Sequence, residues 1–73
     1  MATAVDDSAV KQIGETAGEV WQLLDASGPL SMTQLIKQID APRDTVMQAL
    51  GWLAREDKVH IEEEGRKKTV ELV

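Results

Sequence analysis

Residues 43–55 contain side chains of the kinds that hydrogen-bond to nucleic acids. Arginine can donate to guanine or to phosphate, glutamine and threonine can read base edges, and methionine can contact the thymine methyl group. The candidate contact residues of this segment are Arg43, Thr45, Met47, Gln48 and Arg55. The alternative interpretation is a solvated helix face, because Asp44 lies among these side chains and repels phosphate.

A second cationic group, Arg66, Lys67 and Lys68, lies near the end of the chain. These side chains can contact a phosphate backbone. Alternatively, Lys67 and Lys68 pair with Glu64 and Glu63 across a hairpin, which leaves Arg66 as the least compromised cation. Exposed pairs of this kind contribute only about 0–1 kcal/mol, but they reduce the positive charge available to a ligand.

The sequence predicts a non-enzymatic protein with no metal, cofactor or small-molecule site. The chain has no cysteine and a single histidine, His60, whereas a metal site needs several convergent ligands. No nucleophile lies beside a candidate base, and no glycine-rich phosphate loop is present.

Charge and composition restrict the class of protein further. The formal net charge is −5, which argues against tight nucleic-acid binding, because such domains usually carry a basic footprint. The acidity is concentrated in the first half of the chain. No signal peptide and no membrane-spanning run are recognisable. We therefore expect a cytoplasmic protein that does not contact a membrane.

Apolar residues at spacings of three and four predict three helices. We expect residues 1–7 to be a disordered tail and residues 8–73 to form one domain. The first helix begins near Ser8 and stops at residues 27–29, which read Ser-Gly-Pro. A capping box of Ser31 and Gln34 begins the second helix, which ends at residues 40–42. The third helix covers residues 43–56, and the next residue, aspartate, tolerates a left-handed turn.

A β-hairpin follows, and its register can be predicted. Gly65 and Arg66 fit a two-residue type II′ loop, which favours glycine first. This loop places apolar residues opposite apolar residues and opposite charges opposite each other. The six expected cross-strand pairs are Glu64–Lys67, Glu63–Lys68, Glu62–Thr69, Ile61–Val70, His60–Glu71 and Val59–Leu72. The predicted fold is therefore α+β: a winged helix-turn-helix, with three helices followed by a two-stranded antiparallel β-hairpin wing.

Two features of the helices allow either a core role or a partner-binding role. The two tryptophans, Trp21 and Trp52, are expected in the core, because so short a chain must bury most of its apolar surface. An exposed Trp52 would instead suit a protein partner. Gly14, Ala17 and Gly18 give the first helix a small-residue patch. We expect this patch to pack inside the chain, and a homodimer through the first helix is the alternative.

Residues 13–21 and 49–59 resemble a small bacterial winged helix-turn-helix family that is catalogued as a domain of unknown function. The similarity extends over nearly all of residues 10–73. It is most specific in the run Gly-Trp-Leu-Ala-Arg-Glu-Asp-Lys, residues 51–58. The resemblance supports the fold and, through the fold alone, implies DNA binding. It implies no catalytic or ligand residues.

Two functional hypotheses remain open from the sequence. In the first, the domain binds double-stranded DNA and regulates transcription, with the third helix in the major groove and the wing on phosphates. In the second, it binds a protein partner and has lost DNA binding. The acidic balance and the glutamates opposite the wing lysines favour the second.

Overall fold

The computed structural model describes residues 8–73, so the predicted disordered tail at residues 1–7 lies outside the described residues. Three helices precede most of a three-stranded antiparallel sheet, in which the strand order is β1-β3-β2. The helices are α1 (Ser8–Ser27), α2 (Met32–Gln38) and α3 (Arg43–Arg55), and the strands are β1 (Leu30–Ser31), β2 (Val59–Glu64) and β3 (Lys67–Leu72). This is the predicted winged helix-turn-helix with one additional short strand.

Helix α1 ends at the predicted stop signal. Gly28 has a φ of 81°, a left-handed conformation that glycine adopts without steric cost. Its backbone N–H donates to the carbonyl oxygen of Leu24 at 2.8 Å, which satisfies one carbonyl of the last turn. No helix within residues 8–73 is long and apolar enough to cross a membrane.

The capping box that begins α2 is confirmed. The backbone N–H of Gln34 donates to Oγ of Ser31 at 3.1 Å, and the backbone N–H of Ser31 donates to Oε1 of Gln34 at 3.0 Å. Because α2 has only 7 residues, these two bonds satisfy a large share of the donors at its first turn.

Replacing Ser31 with alanine should therefore destabilise the domain by about 1 kcal/mol, within the usual range of about 0.5–2 kcal/mol for lost N-caps. Urea unfolding at constant m-value measures the loss. Thr33→Ala is the matched control, because Thr33 is exposed in the same turn and should change stability by less than about 0.5 kcal/mol. Equal losses in the two variants would contradict a capping role.

Strand β1 was not predicted. Its two residues pair with β3, with Leu30 opposite Val70 and Ser31 opposite Thr69. The expected two-stranded wing, β2 and β3, is therefore part of a three-stranded sheet in which β3 is the central strand. This pairing fixes the start of α2 beside β3, because Ser31 is both a strand residue and the cap of α2.

The hairpin has the predicted register, and all six cross-strand pairs are confirmed. Gly65 has a φ of 61°, whereas Arg66 has no positive φ. A positive φ at the first loop residue alone is the signature of a type II′ turn. Alternation then directs Val59, Ile61 and Val70 toward the helices.

Helix α3 ends in a Schellman motif that uses aspartate in place of glycine. Asp57 has a φ of 57°, as its position predicted. Its N–H donates to the carbonyl of Ala54 at 3.1 Å, and the N–H of Lys58 donates to that of Leu53 at 2.9 Å. Both bonds are those the motif requires. They turn the chain directly into β2.

The core lies between α1, α3 and the inner face of the sheet, with α2 closing one end. Its side chains are almost entirely aliphatic. The buried members are Ala17, Val20, Leu24, Leu35, Ile39, Val46, Ala49, Leu50, Leu53, Val59 and Val70.

The core placement expected for the tryptophans is wrong. Trp21 is 40% exposed and Trp52 is 50% exposed. Each lies one residue from a buried aliphatic position, Val20 in α1 and Leu53 in α3. One residue corresponds to about 100° of rotation around a helix, which directs both indoles to the edge of the core. The aliphatic side chains fill the interior without them.

The expected packing of the small-residue patch inside the chain is confirmed for Ala17, which is buried, and is wrong for Gly14 and Gly18. Both glycines are exposed. A Cβ atom added at either would meet no atom of residues 8–73 within 4 Å outside its immediate helix surroundings. The intramolecular fold therefore does not require glycine at these two positions.

Candidate nucleic-acid interface

The outward face of α3 consists of the side chains that do not pack into the core. Val46, Ala49, Leu50 and Leu53 occupy the buried side, so the residues half a turn away point to solvent. Met47, Gln48 and Arg55 are exposed there, and Met47 is 38% exposed. Asp44 is exposed on the same side. The structure thus brings together three of the five candidate residues of this segment.

Arg43 and Thr45 lie on the two flanks of that face. Arg43 is the first residue of α3 and is exposed, whereas Thr45 is half-buried. Both belong to the N-terminal half of the helix, the half that enters a major groove in helix-turn-helix proteins. Arg55 is seven residues beyond Gln48, which corresponds to about 10 Å along the axis. Arg55 therefore lies about two helical turns from Gln48, at the other end of this face.

The wing carries its cations at the tip. Arg66 lies in the loop, and Lys67 and Lys68 begin β3, all three exposed. Successive strand residues face opposite sides of a sheet. Lys67 and Lys68 therefore point to different faces of the wing, so one phosphate cannot engage both in the same way.

The lysines oppose Glu64 and Glu63 in register, but the expected ion pairs do not form. Among residues 8–73, no lysine or arginine nitrogen lies within 4.0 Å of a carboxylate oxygen. Within this part of the chain, the one contact between a basic nitrogen and a carboxylate oxygen is made by histidine: Nε2 of His60 lies 3.5 Å from Oε1 of Glu62. Long, exposed side chains gain little from holding such pairs, so the wing cations stay available to a ligand.

A groove lies between α2 and the wing. It has a volume of about 400 Å³ and is lined by Lys37 of α2 and Lys67 of β3, with hydroxyls from Ser31, Thr33 and Thr69. Two ammonium groups and several hydroxyls suit an anionic oxygen ligand. Sequence reasoning missed Lys37 and Thr33, because the β1–β3 pairing that brings them to Lys67 spans about forty residues of chain.

One cluster of metal-ligand types is present within residues 8–73. His60, Glu62 and Glu71 each place a ligand atom within 4.8 Å of the others. Strand register brings them to one face, since His60 opposes Glu71 and Glu62 is the next residue on that face. The side chains of His60 and Glu62 are 57% and 64% exposed, so water competes strongly at every ligand atom.

The comparisons with known proteins agree with this architecture. The family model "Winged helix-turn-helix domain (DUF2582)" matches residues 8–72. The uncharacterized protein MJ1608 of Methanocaldococcus jannaschii is 38% identical over 64 residues, which cover 84% of this chain and 90% of that protein.

A solved structure has the same fold. The crystal structure of an ArsR family transcriptional regulator matches with a TM-score of 0.65. The match covers 97% of this chain and 77% of the regulator's chain. At 18% identity this likeness concerns the fold alone. The family predicted from residues 13–21 and 49–59 is confirmed. The chain belongs to the DUF2582 family of winged helix-turn-helix domains.

Proposed function

We propose that this domain binds double-stranded DNA, with α3 in the major groove and the wing tip on the phosphate backbone, as a regulator of transcription. The observation that carries the proposal is the outward face of α3. Met47 and Gln48 project there without intramolecular polar contacts among residues 8–73, while the opposite face is fully buried. A rigid helix with its reading side chains exposed suits major-groove recognition.

Each candidate residue has a distinct role in this proposal. Arg43 and Gln48 hydrogen-bond to bases, Thr45 contacts a base edge or phosphate from the flank, and Met47 packs on a thymine methyl. Arg55 contacts a phosphate farther along the groove.

The wing and α2 supply the remaining backbone contacts. Arg66 and Lys68 extend from the wing, and Lys67 acts together with Lys37 across the groove that they line. These contacts position the domain without reading sequence. The proposal needs neither a cofactor nor catalysis, and it keeps the cytoplasmic location predicted from the sequence.

The net charge of −5 sets the expected strength of binding. Repulsion from the acidic surface opposes the local cations, so non-specific affinity should be weak and steeply dependent on salt. The experiment therefore belongs at low ionic strength, where the Debye length is long.

Titration of ¹⁵N-labelled protein with a mixed-sequence duplex tests the proposal. We expect amide shifts confined to residues 33–37, 43–55 and 65–68, with the exposed N-terminal half of α1 as the internal control. Weak non-specific binding would still be visible at millimolar protein. The absence of any shift at that concentration would contradict DNA binding.

A protein-binding module is the second candidate. The specific observation that favours it is the pair of half-exposed indoles, Trp21 and Trp52, since tryptophan is enriched where interfaces concentrate their binding energy. The two candidates predict different surfaces. Either ligand should move amides near Trp52, which lies in α3. The discriminating amides are those of the wing, which a duplex should move, and those around Trp21 in α1, which a protein partner should move.

A further inference from the structure

A groove on the described part of the domain is lined mainly by residues outside the candidate DNA contacts of α3 and the wing. It runs between α1 and the end of α3, has a volume of about 660 Å³, and is lined by Trp21, Trp52, Gly14 and Gly18 among others. A tryptophan presents about 150–250 Å². At 40% and 50% exposure, the two indoles therefore leave roughly 150–200 Å² of aromatic surface per chain in water.

Gly14, Gly18 and Trp21 of α1 line this groove, and Lys11 and Asp25 extend the same row beyond it at alternating spacings of three and four. The row is entirely exposed and consists of Lys11, Gly14, Gly18, Trp21 and Asp25. This is the spacing of the contact seam in paired helices. We call this row the α1 seam.

The α1 seam is complementary to itself when it is read in reverse. With Gly18 as the centre, Lys11 of one copy falls opposite Asp25 of a second, and Gly14 falls within one residue, about 1.5 Å along the axis, of the position opposite Trp21. Both relations occur twice, as a two-fold axis requires. We propose that a second copy of this chain occupies the groove, through an antiparallel α1–α1 pair whose axis passes at Gly18.

Steric fit supports this arrangement. Among residues 8–73, nothing lies within 4 Å of a Cβ built at Gly14 or Gly18, outside the immediate helix surroundings. The space over Gly14 is therefore open to the indole of Trp21 from the other copy. With glycine facing glycine at the centre, the helix axes can approach to the close end of the usual 8–10 Å range. Trp52, on the rim of the groove, is covered by the same partner helix.

The charges of Lys11 and Asp25 favour an antiparallel over a parallel helix pair, and they favour a second copy of this chain as the partner. A parallel pair would place Lys11 against Lys11 and Asp25 against Asp25, whereas the antiparallel pair joins opposite charges at both ends. Like charges brought together at an interface are strongly unfavourable. An unrelated helix would have to match the charge at both ends and the indole-over-glycine fit, which a second copy supplies by symmetry.

Sedimentation equilibrium over a concentration series tests the proposal directly. We expect the apparent mass to rise from 8.0 kDa toward twice that value. The emission of the two tryptophans should shift to shorter wavelength over the same concentration range. A mass that stays at 8.0 kDa up to millimolar protein overturns the proposal and leaves the groove to a different partner.

A charge exchange tests the geometry of the pair. Asp25→Lys and Lys11→Asp should each weaken dimerisation by about tenfold or more, because each places like charges at both ends. The double variant Lys11→Asp/Asp25→Lys should restore dimerisation to near the level of the parent chain. Failure of the double variant to recover, while both single variants dissociate, overturns the antiparallel register.

Gly18→Leu separates dimerisation from folding. Leucine favours the helix over glycine, and its Cβ meets no neighbour within 4 Å among residues 8–73, so the thermal midpoint of the monomer should rise. The same side chain separates the two helices at the axis, so dimerisation should be lost. Unchanged dimerisation in this variant contradicts the proposal. None of these measurements uses DNA, so their outcome is independent of the proposed function.

Discussion

Replacing Leu50 with alanine is expected to destabilise the domain by about 2–5 kcal/mol. Leu50 is 2% exposed and belongs to the aliphatic core that joins α3 to the rest of the fold. The substitution removes buried methyl groups and leaves a cavity that the surroundings fill only partly. A domain of this size buries only about 60% of its unfolded surface, so the loss is a large share of its total stability. Urea unfolding at 25 °C measures it.

Met47→Ala is the matched control for Leu50→Ala. Met47 lies three residues earlier in the same helix but is 38% exposed, so its loss should change stability by less than about 1 kcal/mol. A loss below about 1 kcal/mol for Leu50→Ala, or a larger loss for Met47→Ala, would reverse the assignment of the two faces of α3. The control is also informative because Met47 is a candidate base contact: the variant should fold normally and still bind DNA less well.

The sequence was most informative where several independent constraints apply to the same residues. In the hairpin, the glycine requirement of the loop, apolar alternation and charge pairing all select one register. A slip of one residue would violate all three together. The caps at Ser31, Gly28 and Asp57 were predictable for a similar reason, since each depends on the chemistry of one residue and on backbone groups close to it in sequence.

Strand β1 could not be predicted because its cause is not local. Leu30 and Ser31 have no strand signature of their own, and they form a strand only because β3 offers them a free edge. The same pairing brings Lys37 to Lys67. A part of the candidate site therefore depended on a contact between residues far apart in the chain, which helical or strand periodicity does not report.

The tryptophans and glycines show a different limit of prediction from sequence periodicity. Periodicity identifies the side of a helix that is apolar, but not what covers the edge of that side. Trp21 is apolar and lies next to the core stripe, so it fits the pattern of a core residue and of an interface residue equally well. The core placement of these residues could be rejected only from the solvent exposure of Trp21 and Trp52 and from the open space over Gly14 and Gly18 among residues 8–73.

The outward face of α3 was predictable from the sequence, because the apolar stripe identifies the buried side and the remaining residues must face solvent. The availability of the wing cations was not. The register correctly placed Lys67 and Lys68 opposite glutamates, but register alone does not establish an ion pair. The side chains do not form one, so these glutamates do not occupy the ammonium groups. This supports the functional proposal, which the sequence alone had weakened.

Removing two cations from the wing should have the largest effect on DNA binding. In Arg66→Ala/Lys67→Ala, two proposed phosphate contacts are lost. Each phosphate contact contributes about 0.9 to the slope of log K against log salt concentration, so the slope should fall by about 1.8. The same relation predicts an affinity loss on the order of 100-fold at about 50 mM salt. Fluorescence anisotropy with a labelled duplex, repeated over a salt series, measures both quantities.

A change in net charge alone could imitate part of this effect, so the control variant must have the same charge. Ala9→Glu/Gln12→Glu also makes the chain more negative by two, at exposed positions on α1 that lie outside the α1 seam and the candidate DNA face. It should lower affinity only slightly through long-range repulsion, and it should leave the salt slope nearly unchanged. If the two variants lose affinity equally and keep the same slope, the wing makes no direct phosphate contact and only the net charge of the protein controls binding.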